Sequence, residues 1–326
     1  MLKGLLVSLT AGALALGGLA LAHVNAAPPK KKTYNIGLIA KSQSNPVFIA
    51  AHTGANDMAA ELSKKYGVTI KIDWRTPMSE DAQKQAEAIE QLVASGVDGI
   101  ALSASDAKVL TGAVNSAVDK GIPVVTFDSD VPQSKRLAYF GTDDVACGKM
   151  LGDKLAESMG KKGVVAILGG NQTAPNLQGR IRGVKEALKA YPDMSILDTY
   201  YHAETPQDAV AKVEQVQAAN PQITGWAMVG GWPLFTANAL DKVAGKAKVV
   251  AVDALPAQLG YVKNGQVDVL LAQQVYEWGT TSVTLLAEYL IDGKTPSQPI
   301  INANLVPVTK ENAEEYGKQW DKWLGK

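Results

Sequence analysis

The chain has 326 residues, a length that suggests about two domains of ordinary size. Its 32 basic and 32 acidic residues cancel to a formal net charge of zero, so no concentrated basic face is on offer to nucleic acid or to an anionic membrane. A content of 46% hydrophobic and 20% charged residues, with no biased tract, supplies enough apolar material for two full cores.

Met1, Leu2 and Lys3 give a short positive start, and residues 5–21 are apolar. Val24 and Ala26 then stand at the two positions that a signal peptidase reads. This layout predicts a secretory leader at residues 1–26, cut after Ala26 or nearby, followed by a solvated linker at 27–33. A retained anchor is the alternative, but Gly12, Gly17 and Gly18 weaken the apolar run. No cysteine near the site offers a lipid acceptor. The one cysteine, Cys147, cannot form an internal disulfide and reads as a small buried residue rather than a nucleophile. Export without a disulfide fits a Gram-negative periplasm.

From Tyr34 onward short apolar runs alternate with amphipathic stretches. Strands are predicted at 36–40, 68–73, 99–102, 123–127, 164–168, 196–200, 225–229, 249–252 and 269–272, with a further short one at 137–141. They are rich in β-branched residues and apolar on both sides, the mark of a parallel sheet covered on both faces. The helix predicted at 81–93 places Ala82, Ala86, Ile89 and Val93 on one face and turns Glu80, Lys84, Glu87 and Glu90 outward. Asp106, Thr205 and Thr309 read as N-caps, Pro46 and Pro206 as first-turn prolines, and residues 310–323 as a final amphipathic helix. Repeated strand–helix alternation means a doubly wound α/β architecture. One open sheet of nine strands is possible, but two sheets of five or six suit this size better. The irregular stretch 127–144 is then the crossing between them.

In such sheets, ligands sit outside the carboxyl ends of the strands. The residues there include Lys41, Asn45, Phe48, Ser103, Asp106, Asp128, Ser129, Asp130, the run 171–180, His202, Glu204, the run 230–232, Asp253, Gln273 and Gln274. Carboxylates and amides exchange hydrogen bonds with vicinal hydroxyls, Arg donates in a rigid fork, and aromatic faces cover the C–H side of a sugar ring. Taken singly, most of these residues read as caps or turns. Their common location points to a small polyhydroxylated ligand.

Several ordered segments resemble the periplasmic binding proteins of the ribose/galactose type, which share a fold with lac-repressor-like effector domains. Residues 36–48 (IGLIAKSQSNPVF) resemble the family's first strand and its Asn-Pro-aromatic turn. The runs 96–100 (GVDGI), 121–128 (GIPVVTFD), 179–183 (GRIRG), 250–253 (VAVD) and 272–273 (AQ) are similar to its later turns in the same order. The resemblance covers about 34–305. It implies two doubly wound parallel-sheet lobes joined by a three-stranded hinge, with one lobe at 34–142 plus 275–303 and the other at 143–274 plus 304–326. It implies ligand contacts from Asn45, Phe48, Asp128, Arg180, Asp253 and Gln273.

This chain departs from the pattern at four places. Lys41 stands where ribose-type members carry a small hydroxyl residue, and Ser129 followed by Asp130 replaces an Asp-Arg pair. Glu204 falls near a position often aromatic, and residues 230–232 replace an Asn-Asp turn. Lys41, Ser129, Glu204 and Trp232 therefore join the candidate set, Trp232 either facing the ring or packing inward. Together the departures argue against simple ribose.

The resemblance further implies a monomeric receptor in the periplasm that captures a sugar or polyol and delivers it to an inner-membrane ABC permease. A sugar sensor for a chemoreceptor or histidine kinase is the alternative on the same fold. No cofactor, metal or nucleic acid is expected. An enzyme is disfavoured: residues 41–46 hold no glycine, so the turn after the first strand is no dinucleotide fingerprint, and no phosphate loop or Gly-x-Ser-x-Gly elbow occurs. Past the leader only His52 and His202 are left for a His-based metal site.

Overall fold

A computed structural model describes residues 31–325. The predicted leader and most of the linker lie outside the described residues.

Two α/β lobes follow one another along the chain. The first is opened by β1 (Thr33–Ile39), α1 (Pro46–Tyr66), β2 (Thr69–Trp74), α2 (Ala82–Ser95), β3 (Gly99–Leu102), α3 (Ala107–Asp119), β4 (Val124–Phe127) and β5 (Ala138–Thr142). The second runs through α4 (Asp144–Ser158), β6 (Gly163–Gly170), α5 (Pro175–Leu188), β7 (Met194–Tyr201), α6 (Pro206–Ala219), β8 (Ile223–Met228), a 3-10 turn (Trp232–Phe235), β9 (Lys248–Val252), α7 (Pro256–Lys263) and β10 (Val269–Ala272). Then come α8 (Val275–Asp292), β11 (Ile300–Ala303), β12 (Val306–Val308), α9 (Ala313–Gly317) and α10 (Trp320–Trp323).

The sheets are six-stranded, in the orders β11-β5-β4-β3-β1-β2 and β12-β10-β9-β8-β6-β7. Each is parallel except where β12 runs antiparallel to β10. Both therefore repeat the doubly wound order 2-1-3-4-5, with a reversal point between the first and third strands of each lobe. The chain passes between the sheets three times: after β5, between β10 and α8, and between β11 and β12.

Local chemistry explains the elements. Strands β3, β4, β5 and β10 are buried along their whole length, which is why their sequences are apolar runs without alternation. Asn45 caps α1 with Pro46 in its first turn, and Gly67 ends it with a left-handed φ of 65°. Asp81, Asp106 and Thr205 accept from first-turn amides of α2, α3 and α6. Thr309 caps no helix. Its N–H instead donates to Asn312 Oδ1 in the turn before α9, and the single helix expected over 310–323 is broken into α9 and α10.

Candidate functional site

The carboxyl ends of the two sheets face one cleft, lined from the first lobe by Lys41, Asn45, Phe48, Glu80, Asp128 and Trp278, and from the second by Asn176, Arg180, Glu204, Trp232, Asp253 and Gln273. About 350 Å³ of space not filled by atoms lies between these residues, open solvent included. A larger hollow between the 3-10 turn and α7, lined by residues such as Thr236, Asn238, Tyr261 and Gln266, gathers no carboxylate and no basic side chain.

Arg180 organises the second-lobe side. Helices α4 and α5 pack closely enough that a Cβ on Gly148 would lie 2.0 Å from the Arg180 carbonyl oxygen, so glycine there fixes where Arg180 stands. Its guanidinium is 2% exposed. Nε donates to Asp144 Oδ1 at 3.0 Å, Nη1 to the Val229 carbonyl at 3.0 Å and Nη2 to Gln273 Oε1 at 2.8 Å. Three of its five N–H groups are thus used, and two remain for a ligand. Gln273 Oε1 also accepts from Thr142 Oγ1 at 2.8 Å, while its Nε2 donates to Asp253 Oδ1 at 2.8 Å. Burial raises the Asp253 carboxyl above the ordinary range, with Arg180 and Gln273 opposing it. Burial likewise lifts Asp144 to about 6 against the pull of Arg180.

Two aspartates occupy equivalent places, Asp128 after β4 and Asp253 after β9. Both have left-handed backbone, with φ of 56° and 72°. Aspartate tolerates that region better than most residues, and the conformation costs on the order of 1 kcal/mol. The turns re-aim each carboxylate from its strand into the cleft. Asp128 accepts from Ser103 Oγ at 2.7 Å and, across the lobes, from Asn176 Nδ2 at 3.3 Å.

Lys41 is 3% exposed, yet among the described residues its ammonium makes only one long bond, 3.5 Å to Asn176 Oδ1. Burial opposes its charge, but the carboxylates of Glu204, Glu80 and Asp128 outweigh this and hold its pKa above the ordinary lysine value. Glu80 is pushed up to about 8, first by burial and then by the facing carboxyl of Glu204, although Lys41 pulls the other way. Glu204 Oε1 is buried without a hydrogen-bond partner among the described residues.

Aromatic rings back the cleft. Phe48 and Phe127 lie 6.1 and 6.3 Å from Trp278, whose Nε1 is buried and unpaired among the described residues. Trp232 packs in the core at 5% exposure, edge-on to His202, and also lines the cleft, so the two alternatives are not exclusive. A Cβ on Gly230 would fall 2.4 Å from its ring, so only glycine leaves room for it.

Of the ten sequence-predicted residues, Lys41, Asn45, Phe48, Asp128, Arg180, Glu204, Trp232, Asp253 and Gln273 meet around the cleft. Ser129 does not. It is buried behind the Asp128 turn, where its carbonyl accepts from Ala104 N at 3.0 Å and ties the ends of β3 and β4 together. Asp130, also at a strand end, is paired with Arg136 instead of facing the cleft. Glu80 reverses its expected solvent-facing role. It precedes the cap Asp81, so the helical phase of α2 does not govern it. Asn176 and Gly230 fell inside segments read as strand ends, while Trp278, in the first turn of α8, carried no cleft signal. Cys147 is fully buried, and burial pushes its thiol up to about 12, which leaves it inert as a nucleophile.

Known proteins share this arrangement. The chain is 29% identical over 294 residues to a D-ribose/D-allose-binding protein of Pseudomonas aeruginosa, covering 85% of this chain and 88% of that one. It is 24% identical to a D-apiose import binding protein of Actinobacillus succinogenes, covering 87% and 90%. Among solved structures, an ABC transporter solute-binding protein from Burkholderia graminis in complex with D-arabinose matches with a TM-score of 0.81 and 28% identity, covering 89% of this chain and all of that one. The family model described as a periplasmic binding protein domain matches residues 36–295, which hold most of both sheets, short of the edge strands β11 and β12, and every cleft residue named above. This chain belongs to the periplasmic binding protein family.

Proposed function

We propose that this protein captures one uncharged sugar or polyol between its lobes and delivers it to an ABC permease in the inner membrane. The observation that carries the reading is convergence. Asp128 and Lys41 from one lobe meet Arg180, Asp253 and Gln273 from the other across a gap backed by Phe48, Trp232 and Trp278. A ring placed there accepts from Arg180 and Lys41, donates to the two aspartates and lays its C–H face on the indoles. Charges of both signs alternate around the cleft, which suits hydroxyls better than a ligand with a net charge. Named ligands of the relatives, among them ribose, allose and apiose, fit that class.

The ligand favours closure because it bonds both lobes at once, and the three connections between the sheets act as the hinge. The lobes are residues 34–142 plus 275–303 and 143–274 plus 304–326. The chain is exported to the periplasm after cleavage near Ala26, acts as a monomer and releases its ligand chemically unchanged. A sugar sensor for a chemoreceptor or histidine kinase is the second reading; a structure described as an XylFII–LytSN complex, 25% identical with a TM-score of 0.76, is a neighbour of this fold that is found with a partner. Loss of sugar uptake in a strain lacking this chain supports transport, and intact uptake with lost induction supports sensing.

The deciding measurement is a thermal-shift screen of neutral pentoses, hexoses and alditols beside matched uronates and amino sugars. A ligand that binds only the native state raises its melting temperature. A neutral sugar or polyol should give the largest rise, and no shift from any of them would overturn the reading.

A further inference from the structure

The segment after β12 lies beyond the region matched by the family model, yet it is built into the molecule. Ala313 and Trp320 are 0% and 2% exposed, and Trp323 is 8% exposed. Helix α9 packs on α7 of the second lobe, and α10 packs on α1 of the first. Trp320 Nε1 donates to the carbonyl of Ala254 at 2.9 Å, one residue past Asp253. Trp323 stacks on Tyr276, three residues past Gln273, with ring centroids 5.9 Å apart and planes 10° from parallel. The Tyr276 hydroxyl in turn donates to Asp57 Oδ2 on α1 at 2.6 Å. Trp320 and Trp323 touch edge-on at 5.0 Å, so the two anchors form one aromatic unit.

The equivalent turn in the first lobe shows what this unit replaces. There the left-handed Asp128 is fixed from the neighbouring strand: the Tyr139 hydroxyl on β5 donates to the Asp128 carbonyl at 2.9 Å. In the second lobe the corresponding strand β10 reads Val-Leu-Leu-Ala and has no side-chain donor. The Asp253 turn has the same left-handed backbone, and the side-chain donor reaching its carbonyls from a distant part of the chain is Trp320. We propose that the C-terminal segment is a strap across the two lobes and that Trp320 is a positioning residue, holding the Asp253 turn so that its carboxylate faces the ligand. Its second anchor, Trp323 on Tyr276, sits beside the connection that carries Gln273. Lobe movement at that connection therefore pulls on the same strap.

The inference rests on the reading of Asp253 as a ligand residue, and the test separates the two. Trp320→Phe keeps the ring and removes the N–H. In the ligand-free variant, hydrogen–deuterium exchange over residues 253–258 should quicken about tenfold, while exchange over 128–131 stays as in the parent protein. Equal quickening in both turns, or none in either, overturns the strap as a positioning device. With D-allose as the probe, calorimetry should show Trp320→Phe weakening binding about five- to tenfold in the parent and less than twofold in an Asp253→Asn background. The same loss in both backgrounds means that Trp320 does not act through Asp253. Selective quickening together with parent-like binding by Asp253→Asn removes Asp253 from the site, and this role of Trp320 with it.

Discussion

In the second lobe Asp144, Arg180, Gln273 and Asp253 are linked in that order by a continuous chain of bonds of 2.8–3.0 Å. In the first lobe Lys41 holds one bond of 3.5 Å, and Trp278 leaves its indole N–H unpaired among the described residues. The same strand order thus carries two kinds of site. One is preorganised and has little left to rearrange when ligand arrives. The other keeps unfilled hydrogen-bonding capacity, which a ligand must complete. Preorganised charge supplies affinity, because its ordering cost was met on folding. Unfilled capacity supplies selectivity, because a ligand that fails to match it leaves buried groups unpaired.

The largest break in this comparison is Arg180→Ala. Removing one partner of a buried charge network strands Asp144 and Asp253, at a cost of about 3–5 kcal/mol. Binding should fall at least a hundredfold by calorimetry, and the melting temperature should drop as well. Arg180→Lys should rescue little, since a point ammonium cannot reach Asp144, Val229 and Gln273 together. Parent-like affinity in both variants would remove the second lobe from the site. Asp128→Asn comes next. The amide keeps an acceptor for Ser103 but loses the charge, so affinity should fall about ten- to a hundredfold with little change in melting temperature.

The sequence made the preorganised half legible. Asp128, Arg180 and Asp253 follow strands, and doubly wound topology sends strand ends to the ligand whatever the exact register. The first-lobe groups were harder. Glu80 sits one residue before a helix cap, where hydrophobic phase carries no information. Trp278 reads as core because helix α8 buries it, and in this protein core and cleft wall are the same surface. Ser129 was misplaced because a left-handed Asp128 redirects the next side chain, and φ is not written in composition. Strands β11 and β12, of four and three residues, lack the continuous apolar run that marked the others. The C-terminal segment looked like one amphipathic helix because its aromatics recur at helical spacing, although the chain breaks after Gly317.

A smaller effect separates closure from folding. Glu80 titrates at about 8 in the closed cleft, where it faces Glu204, Lys41 and Asp128, with His202 behind Glu204. Once the cleft opens it returns toward an ordinary carboxyl value of about 4.3. The closed form then binds a proton that the open form lacks between those values. The proton favours closure at low pH, and that advantage fades as pH rises toward 8. Ligand affinity should therefore fall between pH 6 and 8, by at most about tenfold per unit, with net proton uptake on binding. Glu80→Gln should flatten the slope. Asp144, lifted to about 6, is bonded to Arg180 within its own lobe, so its titration should appear in folding stability rather than in closure. A parent protein whose affinity stays flat from pH 6 to 8 would mean that Glu80 keeps one environment in both states.

Trp278→Phe is the finest test, because its two effects carry opposite signs. The indole N–H has no partner among the described residues, so it is a buried donor whose desolvation is uncompensated in the ligand-free protein. Phenylalanine removes that donor and keeps most of the ring contact with Phe48 and Phe127. The ligand-free variant should melt at the same temperature or slightly higher, despite the small void left by the lost ring. If a ligand hydroxyl accepts from this N–H, affinity should fall about fivefold, corresponding to about 1 kcal/mol. A lower melting temperature with unchanged affinity would mean that the indole serves packing alone. The unfilled capacity of the first lobe would then reduce to Lys41 and the Glu80–Glu204 pair.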